Sequence, residues 1–182
     1  MFNSFLKGKT ALVTGSTSGI GLGVAKSLAQ SGANIVINGF GDADGARKEI
    51  ESLGVKTLYH DADMRDPQAI ETMVRMIEAQ WGQVDILVNN AGIQHVSPLE
   101  QFPVDKWNDV IAINLSSAFH TSRLVLSGMR ERNWGRIINI ASVHGLVASV
   151  EKSAYVASKH GLIGLTKVTA LETATTGVTC NA

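Results

Sequence analysis

A short apolar run, Thr10–Thr14, leads without a break into Thr14-Gly15-Ser16-Thr17-Ser18-Gly19-Ile20-Gly21, and this turn opens an amphipathic stretch, Ile20–Ser31. Few sequences constrain a fold as tightly as a strand, a glycine-rich turn and a helix in that order. Glycines at 15, 19 and 21 let the backbone turn sharply and come close to a pyrophosphate. The amides opening the helix, at the positive end of its dipole, face the phosphate charge. Glycine spacing alone is a weak signal; the strand before it and the helix after it supply the context the motif needs. Gly15, Thr17, Ser18, Gly19, Ile20 and Gly21 are therefore read as dinucleotide-contacting in preference to a purely structural turn.

The same alternation continues along the chain. Strands are predicted at Thr10–Thr14, Asn34–Asn38, Lys56–His60, Val84–Asn89 and Arg136–Ala141. Helices are predicted at Ile20–Ser31, Ala43–Leu53, Pro67–Trp81, Val104–Arg132 with a break near its start, and Ser153–Thr173. Pro67 suits a first helical turn, and Gly32 and Gly54 suit helix exits. Short apolar strands alternating with amphipathic helices give the α/β class: a Rossmann-type doubly wound parallel sheet with helices on both faces. The last residues, Val178 to Ala182, fall at the start of a sixth strand. No repeat, low-complexity tract or linker divides residues 1–182, so one dinucleotide-binding and catalytic domain is expected. A hydrophobic share of 45% over 182 residues excludes disorder. Sixteen basic side chains balance sixteen acidic ones, so no charge excess points to nucleic acid or a membrane surface. A single cysteine, Cys180, cannot form an internal disulfide, and neither a membrane span nor a signal-peptide core is visible, so a cytoplasmic protein is expected.

The chemistry concentrates between Ser142 and Lys159. Tyr155 and Lys159 lie four apart on a predicted helix and so share one face, about one turn apart. A phenol titrates near ~10, and a fixed cation beside it favours the phenolate, making it a proton-transfer group. Ser142, following an apolar strand, could supply a hydroxyl to the same substrate oxygen. Taken alone, this spacing describes a half-buried tyrosine beside a solvated lysine; the upstream glycine turn reverses that reading. Elsewhere along the crevice, the second strand ends in Asn38-Gly39-Phe40, without the acid that would hold an adenosine ribose and without a cation for a 2′-phosphate. This favours NAD over NADP, with Phe40 beside it. Asp63 is placed for the adenine edge, the plainer alternative being a surface carboxylate leading a helix. Asn89-Asn90-Ala91-Gly92 closes the fourth strand, where small residues keep the crevice wall open and amides satisfy neighbouring backbone; Asn90, Ala91 and Gly92 join the cofactor set. No metal is expected.

These four features, the TGxxxGIG turn, NNAG, a serine after the fifth strand and YxxxK, occur in the order seen in short-chain dehydrogenases/reductases, and the chain resembles that family over essentially its whole length. The resemblance implies a catalytic tetrad of Asn114, Ser142, Tyr155 and Lys159. Tyr155 would exchange the proton with the substrate oxygen, Ser142 would position and polarise it, and Lys159 would favour the phenolate while binding nicotinamide ribose. Asn114 reads from sequence only as a polar residue tolerated in a helix. The resemblance gives it a local helix distortion and a water linking Lys159 to a proton relay.

Gln94 and His95 follow the NNAG turn, His144 lies two after Ser142, and Lys152 three before Tyr155. Gln94, His144 and Lys152, from three loops, could converge with Ser142 and Tyr155 on a short carboxylate, which is stable in a pocket only when paired and hydrogen-bonded. Taken singly, a loop lysine is usually solvated and a loop histidine often caps something. The strings around these residues, with Asn38-Gly39-Phe40-Gly41-Asp42, are similar to the family's bacterial D-3-hydroxybutyrate dehydrogenase subgroup, which is NAD-dependent without the usual acid. This implies a small hydroxy acid interconverted with its keto acid. Helix Ser153–Thr173 is apolar or small nearly all round, implying a second buried face; the resemblance implies a homo-oligomer, a dimer of dimers. The family continues beyond the equivalent of Ala182 through a substrate-covering segment and further strands, so an unpaired edge and an inactive 182-residue species are expectations. Other readings are an enzyme of the same family acting on another small alcohol or ketone, and a nucleotide binder without turnover.

Overall fold

The computed structural model describes residues 4–182. Within them lie six parallel strands: β1 (Thr10–Val13), β2 (Asn34–Asn38), β3 (Thr57–His60), β4 (Ile86–Asn89), β5 (Gly135–Asn139) and β6 (Val178–Asn181). They form one sheet in the order β3-β2-β1-β4-β5-β6. Parallel neighbours cannot be joined by hairpins, so the chain crosses over through helices. These are α1 (Gly19–Gln30), α2 (Ala43–Glu51), α3 (Pro67–Trp81), α4 (Val104–Ile111), α5 (Ser117–Glu131) and α6 (Ser153–Thr173).

The strands are buried on both faces, which is why they read as continuous apolar runs. Leu12, Val36, Leu87 and Ile137 pack with Ile70, Met73 and Ile77 of α3 and with Val125 and Met129 of α5. Ala11, Val13, Ile35, Ile37 and Val88 pack on the opposite face with Ala25 and Ala29 of α1 and Ile50 of α2. Each buried leucine or isoleucine contributes about 1.5–3 kcal/mol, so these two layers carry the sheet.

Most element ends fall within one or two residues of the sequence expectation, β4 for instance starting at Ile86 and not Val84, and three of the differences have a local reason. Helix α2 ends at Glu51 because Leu53 N and Gly54 N fold back onto the Ile50 and Glu51 carbonyls at 3.0 and 2.9 Å. Strand β5 runs Gly135–Asn139; Ile140 N still donates to Asn89 O at 2.9 Å, after which the chain leaves the sheet. The expected break in the long helix is instead a widening: one π-helical turn, Ala112–Ser116, joins α4 to α5. As expected, Pro67 opens α3, behind Asp66, whose carboxylate accepts from Gln68 N at 2.8 Å.

Helix α6 buries Ala154, Ser158, Leu162, Thr166, Thr169 and Thr173, a face of mostly small or hydroxyl side chains, and leaves Val168 and Leu171 exposed. Among the described residues no helix is long and apolar enough to cross a membrane. β1 and β4 are neighbours, yet the chain winds away from them in opposite directions. The crevice this opens at their carboxyl ends is lined by most of the predicted site residues.

Candidate active site

The glycine turn is held from three sides. Thr14 Oγ1 accepts hydrogen bonds from Asn90 N and Ala91 N, both at 3.0 Å, and Asn90 Nδ2 donates to the Thr14 and Gly15 carbonyls at 2.9 and 3.0 Å. The buried Asn38 side chain accepts from Gly15 N at 3.3 Å and donates to the His60 and Ala62 carbonyls at 3.1 and 3.0 Å. Gly15 and Gly19 have φ of 63° and 57°, backbone that side chains rarely adopt. Gly21 meets a different constraint: a Cβ there would fall on the Gly15 carbonyl and on Asn90 Nδ2. Ser18, extended at the head of α1, makes no side-chain cap. Its hydroxyl and the helix's opening amides, which have no intrahelical acceptor, suit an anionic ligand.

From this turn a crevice of about 200 Å³ runs toward β2 and β3, walled by Thr17, Gly39, Phe40, Asp63, Met64 and Ala91 among others. The Phe40 carbonyl accepts from the Thr17 hydroxyl at 2.5 Å and the Gly39 carbonyl from the Tyr59 hydroxyl at 3.0 Å, so the backbone is fixed while the Phe40 ring stays 64% exposed. Asp63 lines the crevice. Its carboxylate is also engaged by Arg65, which holds it below the usual carboxylate range.

A second cavity, about 310 Å³, shares Gly92 and Ile93 with the first and extends the crevice the other way. Ile20, Asn90, Gln94, Ile140, Ala141, Tyr155 and Lys159 complete its wall. Lys159 is 5% exposed; its Nζ lies 5.6 Å from the Tyr155 ring centroid and donates to the Ile140 carbonyl at 2.7 Å. The cation is therefore beside the aromatic ring as predicted, but its hydrogen bond goes to the end of β5. Ser142 lies one residue beyond the wall formed by Ile140 and Ala141. Its hydroxyl accepts from His144 N at 3.2 Å and caps the short turn Val143–Gly145. The His144 ring meets Tyr155 edge-on, with centroids 5.9 Å apart. Lys152 is half-buried at the head of α6, outside the cavity wall, and its carbonyl accepts from Val156 N at 2.8 Å. His95 packs edge-on against Phe102 at 5.3 Å, away from this group.

Asn114 has the most specific placement. At 2% exposure inside the π turn, its Oδ1 accepts from Ile93 N at 2.8 Å and its Nδ2 donates to Ile93 O at 2.9 Å. Nδ2 also lies 3.3 Å from Ser158 Oγ, which donates to the Tyr155 carbonyl at 2.7 Å. The helix distortion thus pins the wall segment between the two cavities and reaches the backbone of Tyr155.

Burial lowers the pKa of Lys159 from its ordinary 10.5. The native lysine then releases its proton at lower pH than the unfolded one, and between the two values the unfolded chain binds more protons. Stability contributed by this group is accordingly full above 10.5 and lost as pH falls through the native value. Urea unfolding at stepwise alkaline pH up to 10.5 should show a rising component that disappears in Lys159→Met; an identical pH profile in the variant would refute it.

Two features escaped the sequence. Arg65 is one. The other is a buried polar seam: Asn89 Nδ2 donates to Asn139 Oδ1 at 2.8 Å, Thr121 Oγ1 donates to Asn89 Oδ1 at 2.7 Å, and Asn139 Nδ2 donates to Thr166 Oγ1 at 2.8 Å. It runs from α5 through two strands to α6. Its signal was present, since β4 and β5 both end in asparagine and the two are register partners.

Known proteins share this architecture. The chain is 65% identical over 179 residues to a D-beta-hydroxybutyrate dehydrogenase of Cupriavidus necator, an alignment spanning 97% of this chain and 69% of that protein. It is 57% identical over 177 residues to another from Rhizobium meliloti, spanning 95% and 69%. The crystal structure of an NAD+-bound xylitol dehydrogenase superposes with a TM-score of 0.92 at 32% identity, covering 98% of this chain and 70% of that one. Residues 9–182 match the family model described as short chain dehydrogenase. With its glycine turn against β4 and its Tyr155–Lys159 pair at the mouth of the crevice, the chain belongs to the short-chain dehydrogenase family of oxidoreductases.

Proposed function

We propose that this protein is an NAD-dependent dehydrogenase, within one catalytic domain, interconverting D-3-hydroxybutyrate and acetoacetate. The observation that carries the reading is the 65% identity to a D-beta-hydroxybutyrate dehydrogenase. The meeting of Gln94, Tyr155 and Lys159 in one cavity wall supports it. The Gly15–Gly21 turn and the Asn90–Gly92 segment would hold NAD, which would supply the acceptor for the hydride on the carbon bearing the substrate hydroxyl. Tyr155 takes the hydroxyl proton as that hydride leaves, and returns it in the reverse direction. Lys159 supplies the positive charge that favours the phenolate. The Ser142 hydroxyl polarises the substrate oxygen. Gln94, His144 and Lys152 bind the carboxylate. Asn114 holds Ile93 and, through the π turn, the water that relays protons to Lys159.

The choice of NAD rests on charge. The segment after β2 carries Asp42 and Asp44 and no cation before Arg47, whose Nε is bonded to Glu51 at 2.8 Å. Arg65, the cation beside the crevice, faces Asp63 and Asp109. A 2′-phosphate would find no free partner and would be repelled. Assembly into a homo-oligomer, a dimer of dimers, would cover Phe119, Val168 and Leu171 on the outer faces of α5 and α6. We place the enzyme in the cytoplasm.

Steady-state assays with D-3-hydroxybutyrate and NAD test the reading, run on a chain that also carries the substrate-covering segment its relatives have beyond the equivalent of Ala182. Turnover with the D enantiomer, little with the L enantiomer and little with NADP are expected; NADH binding without turnover on D-3-hydroxybutyrate would refute it. In the same assay, Lys152→Ala should raise the substrate KM by about tenfold or more, the scale of a lost charge-assisted hydrogen bond, with NAD affinity nearly unchanged. Equal loss of both would remove Lys152 from the substrate pocket.

A further inference from the structure

We infer that Arg65 is a positioning residue for adenine recognition, fixing the plane of the Asp63 carboxylate toward the base. The inference rests on the proposal above that this crevice takes a dinucleotide, with its adenine half against Asp63. Arg65 approaches Asp63 with three separate protons. Its backbone N donates to Oδ1 at 2.9 Å, closing an Asx turn; Nε lies between the two oxygens at 3.1 and 3.0 Å; and a terminal guanidinium nitrogen donates to Oδ2 at 2.6 Å. The four contacts, two at each oxygen with the Nε proton shared between them, fix the plane of the carboxylate that an exocyclic amino group of the base would meet.

The fork is held from behind as well. The other terminal nitrogen of Arg65 lies 3.5 Å from Asp109 Oδ1 on α4, and Lys106 Nζ is 3.9 Å from Asp109 Oδ2. Asp63 is thus tied to the helix that leads into the π turn. As a stabiliser of the fold this ion pair counts for little, because Arg65 is half exposed and such pairs are screened. Its geometry is what matters. Lysine, a single point charge on a flexible stem, cannot reproduce the planar fork.

Fluorescence titration with NADH tests this on the wild type, Asp63→Ala, Arg65→Ala, Arg65→Lys and the double variant Asp63→Ala/Arg65→Ala. Reduced nicotinamide mononucleotide, which lacks adenine, is titrated in parallel. Asp63→Ala and Arg65→Ala should each weaken NADH about tenfold or more, the scale of one hydrogen bond to a charged group. The double variant should be no weaker than the weaker single, Arg65→Lys should fall between, and the mononucleotide should bind all five proteins alike. Wild-type NADH affinity in Arg65→Ala, losses that multiply in the double variant, or a parallel loss of the mononucleotide would each overturn the role. If the wild type fails to bind NADH, or Asp63→Ala binds it normally, the assignment of the crevice itself falls, and the role of Arg65 with it.

Discussion

Tyr155→Phe should abolish most turnover, lowering kcat by about 10²–10⁴, the usual worth of a positioned general acid or base. NADH affinity and the unfolding temperature should stay close to wild type. The expectation is sharp because the substitution removes one oxygen and nothing else. The ring remains to meet His144 edge-on at 5.9 Å and to lie beside the Lys159 ammonium, and the Tyr155 carbonyl still accepts from Ser158. No buried partner of the hydroxyl has to be left unpaired. Retention of more than about a tenth of the activity would show that another group moves the proton. A parallel fall in NADH binding would place the defect in the crevice instead of in the chemistry.

Gly21→Ala should be the most damaging small substitution at the nucleotide end. The added methyl collides with the Gly15 carbonyl and with Asn90 Nδ2, and these two groups are hydrogen-bonded to each other at 3.0 Å. Either the turn moves or the bond breaks. Overpacking together with loss of one or two of the Asn90 bonds should cost about 2–5 kcal/mol, lowering the unfolding midpoint by about 5–15 °C. NADH binding should weaken by more than about tenfold, since the phosphate-facing amides shift with the turn. Gly23→Ala, two residues on in the same helix, meets nothing within 4 Å and should be neutral or mildly stabilising through helix propensity. Equal behaviour of the two variants, read by thermal melts and NADH titration, would refute the collision.

How much of this could be read in the sequence depended on whether the constraint was local. The turn at Gly15–Gly21 was legible because its backbone needs, the strand before it and the helix after it are all within one stretch of chain. The pairing of Tyr155 with Lys159 was legible for the same reason, as two positions one helical turn apart. The partner of Lys159 was not: the Ile140 carbonyl comes from nineteen residues upstream, and its position depends on where β5 leaves the sheet. Asn114 read as an ordinary helix residue because nothing in its neighbours announces a π turn. Its meaning lies in Ile93, brought to it by tertiary packing. Arg65 lies only two residues from Asp63 but carried no signal of its own, since the cation that would meet a ribose phosphate is expected at the end of β2. The convergence of Gln94, His144 and Lys152 with Ser142 and Tyr155 was read from their spacing around the NNAG turn, Ser142 and Tyr155. In the fold, His144 does reach that ring, while Ser142 and Lys152 stand just outside the cavity wall.

Asn114 fastens Ile93 by both its amide and its carbonyl, and the very next residue, Gln94, is exposed at the reacting end. That clasp works as a firebreak. Changes in the loop beyond it can redraw which alcohol is admitted without being transmitted back to the nucleotide seat, and changes around the seat need not disturb selectivity. A scaffold divided in this way can acquire new substrates by drift in a few surface positions, keeping its hydride chemistry intact throughout.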